Sequence, residues 1–265
     1  MIKDITIGQY FPGDTIIHRL DPRVKLISVF LFIISLFFVK NFYPYIFVLG
    51  YILTIVYLSK IPIKYILKGL KPLIFIISIT FFINLFMTKG EILFYIGPLV
   101  VTKEGLSQAV FMAIRLIFLV TGTSLLTLTT SPIALTDGIE SLLSPLKSIG
   151  LPAHELAMMM TIALRFIPTL LEETDKIMKA QMARGADFES GNIINRAKSL
   201  VPLLVPLFIN AFRRADELAT AMEARCYRGG DNRTRLNELR FKRIDIAALG
   251  AITLFFGAII STRFI

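Results

Sequence analysis

Tryptophan is absent from this 265-residue sequence, cysteine occurs once and histidine twice. The lone Cys226 excludes a disulfide framework and a thiolate metal cluster. His18 and His154 stand too far apart in the chain to form a local His-rich metal motif. Charge is also scarce: 18% of residues are charged, against about 25% in an average soluble domain. Apolar residues fill the space, at 55% hydrophobic with 22 Phe and a mean hydropathy of +0.69. That composition excludes disorder and argues against a soluble globular enzyme. It specifies an integral membrane protein. The net charge of +10 then reads as loop charge that orients the chain against an anionic leaflet, ahead of nucleic-acid affinity. Residues 1–23 carry Asp4, Asp14 and Asp21 and no compact apolar block, so no secretory signal peptide is expected.

A membrane-crossing helix needs about 20 mostly apolar residues. Five stretches approach or meet that length: Val24–Val39, Phe42–Leu58, Leu73–Met87, Ala109–Leu128 and Ile246–Thr262. The first and third are short and draw on flanking residues or snorkelling Lys/Arg. Lys3, Arg19, Arg23 and Lys25 precede or open the first stretch. Lys60, Lys64, Lys68 and Lys71 separate the second from the third, with no acid among them. The alternate loops hold Lys40, and Lys89 and Lys103 offset by Glu91 and Glu104. The positive-inside rule therefore places the N-terminus in the cytoplasm and, with five spans, the C-terminus outside. Residues 131–244, with 16 Lys/Arg, fall on the cytoplasmic side. The expected fold is an all-α integral membrane protein of about five transmembrane helices. Four span 1–130, long amphipathic coupling helices fill 131–244, and 245–265 form the last membrane helix.

Residues 131–244 show no strand alternation and no phosphate-loop glycine spacing. They read as a short amphipathic piece, Pro132–Ser148, and two long helices, His154–Arg184 and Ile193–Arg225. Each long helix starts apolar and ends charged, and each is about 45 Å long at 1.5 Å per residue. Pro168, Pro202 and Pro206 should bend them.

The two ends repeat. Residues 175–185 read DKIMKAQMARG and residues 216–226 read DELATAMEARC. Asp175 matches Asp216, Ala180 matches Ala221, Ala183 matches Ala224, and Arg184 matches Arg225. The alanines at i,i+3 share a helix face, where small side chains allow another helix close, so a crossing at the alanines is expected. Each arginine falls at a helix C-terminus, which favours a cation. Gly185, and Gly229–Gly230 later, are stop signals. Two equivalent cationic tips suggest two equivalent partner sites.

On these residues the sequence resembles the transmembrane T component of energy-coupling factor (ECF) transporters, a branch of the ATP-binding-cassette importers. The matching residues are Ala183–Gly185, its counterpart Ala224–Cys226, the DPRVKL of Asp21–Leu26 and the RFIP of Arg165–Pro168. The resemblance covers most of the chain. It implies a complex with two ABC ATPase subunits, expected as a heterodimer, and one small membrane S component that binds a vitamin or another micronutrient. ATP and Mg would sit on the partner subunits, none on this chain, which would be a non-catalytic subunit of a bacterial plasma membrane. Carried over, Arg184 and Arg225 are the ATPase-coupling residues, flanked by Ala183, Gly185, Ala224 and Cys226. Cys226 replaces the family's usual glycine, which bears on the helix end. The S component would meet Met158, Met159, Met160, Leu203, Leu204, Leu207 and Phe208, an apolar set in which Met suits varied partners.

Other residues carry weaker readings. Arg115, inside the fourth stretch, reaches polar neighbours or the interface, or else marks function. Arg165 is expected to meet an acid or a helix-end carbonyl. Lys60 to Lys71 suit lipid phosphates. Glu172, Glu173, Asp175, Asp187 and Glu189 lack the dense spacing of a membrane-enzyme metal site. The basic run Arg235–Lys242 with Arg243 is topological charge rather than a nucleic-acid site. A stand-alone secondary transporter or channel is the alternative, though a secondary transporter would need an inverted repeat of spans that five unequal stretches do not show.

Overall fold

The computed structural model describes residues 10–96, 99–186, 188, 192–230 and 239–262. It is an all-α membrane protein with one small β-hairpin. Two compact units emerge: Gly8–Ile139 with Glu238–Ile265, and Glu140–Asn237.

The first unit holds α1 (Pro22–Phe38), α2 (Pro44–Ser59), α3 (Ile63–Leu70), α4 (Ile74–Met87), α5 (Lys103–Thr129) and α9 (Arg243–Ser261). Local chemistry sets the starts. Pro22 and Pro44 occupy first-turn positions, where a missing N–H costs nothing. The Asp21 carboxylate caps α1 by accepting the Arg23 N–H, and the Thr102 hydroxyl caps α5 by accepting the Gly105 N–H. The core joins Phe32, Leu36, Val48, Ile52, Phe111, Leu125 and Ile252, with Tyr51 stacked on Phe255 at 4.4 Å. Many remaining large apolar side chains, such as Phe30, Phe75 and Leu254, face outward, as expected of helices solvated by lipid.

Two features depart from the sequence reading. A 3-10 turn at Lys71–Leu73 joins α3 to α4, so the helical run is Ile63–Met87, 25 residues long. Lys64 and Lys68 therefore sit on a helix rather than in a loop. Residues between α4 and α5 form a hairpin of β1 (Ile92–Ile96) and β2 (Leu99–Thr102), with Tyr95 opposite Val100. Among the described residues, four helical runs are long and apolar enough to cross a membrane: Ile63–Met87, α5, Arg243–Ser261 and Ala153–Ala183. α1 and α2, at 17 and 16 residues, span only about 25 Å of a ~30 Å hydrocarbon core. Val39, Phe42 and Tyr43 extend the apolar surface between them.

Three helix ends meet at one end of this unit. The Asp245 carboxylate, 1% exposed, accepts the Asp21 N–H at 2.8 Å and the Lys242 N–H at 2.7 Å. The Lys25 ammonium donates to the Thr129 carbonyl at 2.9 Å. The N-ends of α1 and α9 and the C-end of α5 thus share one end. At the other, Arg115 Nη2 donates to the Val39 carbonyl at 2.8 Å, so α1 and α5 run antiparallel. The chain leaves after α5 and returns before α9 at the same end.

The second unit carries α7 (Ala153–Ala183) and α8 (Ile193–Ala224). Before them, α6 (Pro132–Leu143) gives way to a 3-10 turn over Ser144–Ile149 that stops at Gly150, φ +91°. α7 and α8 fall within a residue of the expected ranges, whereas α6 stops at Leu143 and the 3-10 turn completes the expected Pro132–Ser148 piece.

Candidate functional site

The two repeat ends close identically. Beyond Ala183, Arg184 takes the cap position at φ −90°, ψ 6°, and Gly185 follows at φ +88°. The Gly185 N–H donates to Met182 and the Ala186 N–H to Gln181, both at 3.0 Å. Beyond Ala224, Arg225 sits at φ −92°, ψ 11° and Cys226 at φ +55°. The Cys226 N–H donates to Glu223 at 2.8 Å and the Tyr227 N–H to Met222 at 3.0 Å. Both are Schellman closures, in which the residue after the cap turns left-handed and two late carbonyls gain donors. Cys226 in place of glycine preserves this pattern. Ala183, Arg184, Gly185, Ala224, Arg225 and Cys226 are all exposed, and neither guanidinium meets a partner among the described residues.

The long helices cross in opposite senses. The Glu173 carboxylate accepts from Asn210 Nδ2 at 2.6 Å, and Arg214 Nη2 stands 3.5 Å from its other oxygen, in ion-pair range but outside hydrogen-bond geometry. Gln181 Nε2 donates to the Pro202 carbonyl at 3.4 Å. His154, at the start of α7, lies 2.9 Å from Glu140 Oε1 and 3.2 Å from the Tyr227 hydroxyl. Gly230 leaves room for that ring, since a Cβ there would collide with it. Residue numbers rise along α7 as they fall along α8, so Arg225 stands near the start of α7 and Arg184 at the far end of the pair.

This corrects the expected crossing at the alanines. Ala180, Ala183, Ala221 and Ala224 are exposed. Polar side chains hold the crossing, and the small residues leave two slender helix ends free.

The apolar sets divide. Met159, Met160, Leu204 and Phe208 are 54%, 44%, 43% and 60% exposed, and Met158 and Leu207 are partly buried. Leu203 is buried at 7%, so it belongs to the packing within the chain. Val201, Val205 and Phe212 extend the exposed stripe of α8 instead. With Phe208 they follow the i, i+4, i+7 and i+11 spacing of one helix face.

Arg165 is exposed, and among the described residues no acid or carbonyl meets it, contrary to expectation. Arg115 acts structurally: besides binding Val39 it lies over the Phe111 ring at 4.7 Å. Asp187 and Glu189 lie outside the described residues, as do residues 235–238 of the basic run. DPRVKL is a weld rather than a ligand site. Arg23 grips the Asp21 carboxylate, donates to the Leu239 carbonyl at 2.9 Å and covers the Phe241 ring at 4.3 Å. Sequence reasoning missed Asp245, whose signal was an acid three residues after Lys242, and the His154–Tyr227 link, which had none.

A family model described as "Cobalt transport protein", CbiQ, matches residues 13–236. Curated relatives are named "Energy-coupling factor transporter transmembrane protein EcfT". That of Thermosediminibacter oceani is 63% identical over 264 residues, covering 100% of both chains. That of Clostridium kluyveri is 63% identical over 257 residues, 96% of this chain and 95% of the relative. That of Bacillus subtilis is 51% identical over 250 residues, 94% of each.

Proposed function

Because the chain belongs to the CbiQ family, together with the transmembrane proteins of energy-coupling factor transporters, we propose that it transmits ATP-driven motion from two ABC ATPase subunits to a membrane S component. It is a multi-pass membrane transport component and, in this reading, a non-catalytic one. ATP and Mg bind the ATPase pair, and a vitamin or other micronutrient binds the S component. α1, α2, α4, α5 and α9 cross the bilayer, with the N-terminus and α6–α8 on the cytoplasmic side and the C-terminus outside. α7 stays out of the bilayer despite its length, because only its first half is apolar and Glu172, Glu173, Asp175, Lys176 and Lys179 crowd the second.

One observation carries this reading: two helices end in the same closure and each offers an exposed arginine, unpaired among the described residues, beside alanines. Slim ends fit a groove, and a guanidinium fork binds a carboxylate or carbonyls there by several donors. The arginines stand at opposite ends of a crossed pair. When ATP draws the two ATPases together, each pulls one end, and the helices shift against each other. The exposed stripe around Met159, Met160, Leu204 and Phe208 carries that motion to the S component.

The test is the pair Arg184→Ala and Arg225→Ala in the assembled transporter. A lost hydrogen bond to a charged group costs about 1.5–3 kcal/mol, so each variant should weaken ATPase retention about tenfold or more. The double variant should retain the S component, lose the ATPases and stop uptake. Normal assembly and uptake by the double variant would refute the reading. Ligand binding by the chain purified alone would favour a stand-alone transporter.

A further inference from the structure

A cavity of ≈ 370 Å³ lies within the unit formed by Gly8–Ile139 and Glu238–Ile265. It is bounded by α1, α2, α5 and α9, in the half that holds the N-ends of α1 and α9 and the C-end of α5. Phe32, Ile55, Leu125 and Leu126 give it apolar walls, and Ala248 and Ala251 leave the space that larger side chains on α9 would fill. Its size is that of a small-molecule site, about 300–1,000 Å³, but it lacks the convergent polar groups such sites use to fix a polar ligand. Ala251 and Thr54 are exposed, so the chamber opens sideways from the bundle.

One end of the chamber is cationic. Lys25 lines it, is 6% exposed, and donates to the carbonyls of His18 at 3.1 Å and Thr129 at 2.9 Å. An ammonium has three donors, of which two are used among the described residues, and the Asp245 and Asp21 carboxylates offset part of its charge. Lys60 follows the lining residue Leu58 by two positions, and Arg243 immediately precedes the lining residue Ile244; both are exposed. Each acid nearby in sequence also holds another partner. Asp14 pairs with Arg19, Asp21 with Arg23, and Asp245 holds two backbone N–H groups. An apolar chamber with a cationic rim and a lateral opening matches a long apolar tail that carries an anionic head.

We propose that this cavity binds an acyl chain of an anionic phospholipid, drawn from the leaflet at that end, with the phosphate held by Lys60, Arg243 and the third N–H of Lys25. The chain fills space that would otherwise cost packing contacts. The proposal needs neither the ATPase reading nor the orientation of the termini.

The test uses the full chain in nanodiscs of equal phosphatidylglycerol and phosphatidylcholine with the same acyl chains, extracted and weighed by native mass spectrometry. The wild type should retain a single phosphatidylglycerol. Ala248→Phe with Ala251→Phe blocks the chamber and should abolish retention. Lys60→Gln with Arg243→Gln leaves the chamber open and should cut the preference for phosphatidylglycerol about fivefold for each cation lost. If the blocked variant fails to fold, the charge variant still decides. Equal retention of the two lipids by the wild type, no retained lipid, an unchanged preference in the charge variant, or a crosslink from position 251 to a membrane partner in the assembled transporter would each overturn the proposal.

Discussion

Cys226 holds its backbone at φ +55°, where a Cβ crowds the carbonyl. Gly185 takes the equivalent turn in the first repeat without that cost. Cys226→Gly should therefore tighten the end of α8 by about 1 kcal/mol, read as exchange of the Cys226-position and Tyr227 amides slowed about fivefold. Unchanged exchange would mean that the turn carries no strain. His18 offers a pH readout outside the helices. Its Nε2 lies 3.1 Å from the Phe11 carbonyl and its Nδ1 2.7 Å from the Thr15 hydroxyl. A carbonyl only accepts, so Nε2 carries the proton and the neutral ring accepts from Thr15 at Nδ1. Burial disfavours the charged ring and pushes its pKa below the ordinary His value, against the Phe11 bond that pulls it upward. The folded chain then binds fewer protons than the unfolded one. The His18 contribution to stability is complete above a pH of about 6.5 and declines as pH falls toward the lower folded value. The thermal midpoint in detergent should drop over that interval, and His18→Gln should flatten the drop. A midpoint that rose on acidification would contradict the assignment.

Helix α8 contains Pro202 and Pro206. Pro206 has no N–H, so the Pro202 carbonyl four residues earlier lacks its intrahelical donor. Gln181 Nε2 from α7 supplies one at 3.4 Å. Pro206→Ala restores the internal bond at a site where proline costs about 3 kcal/mol, and amide exchange over residues 203–210 should slow more than tenfold. Gln181→Ala should then be harmless in the Pro206→Ala background and loosen the crossing in the wild type, as read by exchange at Asn210. Equal effects in both backgrounds would break the link. The helices themselves were legible because long apolar runs, and a stop signal such as Gly185, are local features. The hairpin was not read, although ILFYI and LVVT flank a Gly-Pro pair in the manner of strands. Short apolar runs between membrane helices are easily taken for loop. α3 escaped for a related reason: Lys64, Lys68 and Lys71 interrupt the hydropathy while Ile66 and its neighbours keep the helical period.

Charge and connectivity agree within the unit formed by Gly8–Ile139 and Glu238–Ile265. Asp245 and Lys25 bring the N-ends of α1 and α9 to the C-end of α5, so the stretch between α5 and α9 is entered and left at the end where Arg19, Arg23, Lys60 and Arg243 accumulate. The two arginine-bearing helix ends were readable from sequence because a repeated helix end is a local pattern. The antiparallel crossing was not, because it rests on Glu173 with Asn210 and His154 with Tyr227, pairs that no periodicity links. The lone cysteine makes the arrangement measurable. Cys226 is exposed and adjoins Arg225 at one of the two tips. On the proposed topology, a membrane-impermeant maleimide should leave it unlabelled in intact cells and label it in inside-out vesicles. Assembled ATPases should then shield it, and Arg225→Ala, by releasing them, should restore labelling. Labelling from outside intact cells would invert the topology and remove the tips from any ATP-driven partner. Cytoplasmic labelling that ATPases leave unchanged would keep the topology but reject docking at α8. The same reagent thus separates an error in orientation from an error in coupling.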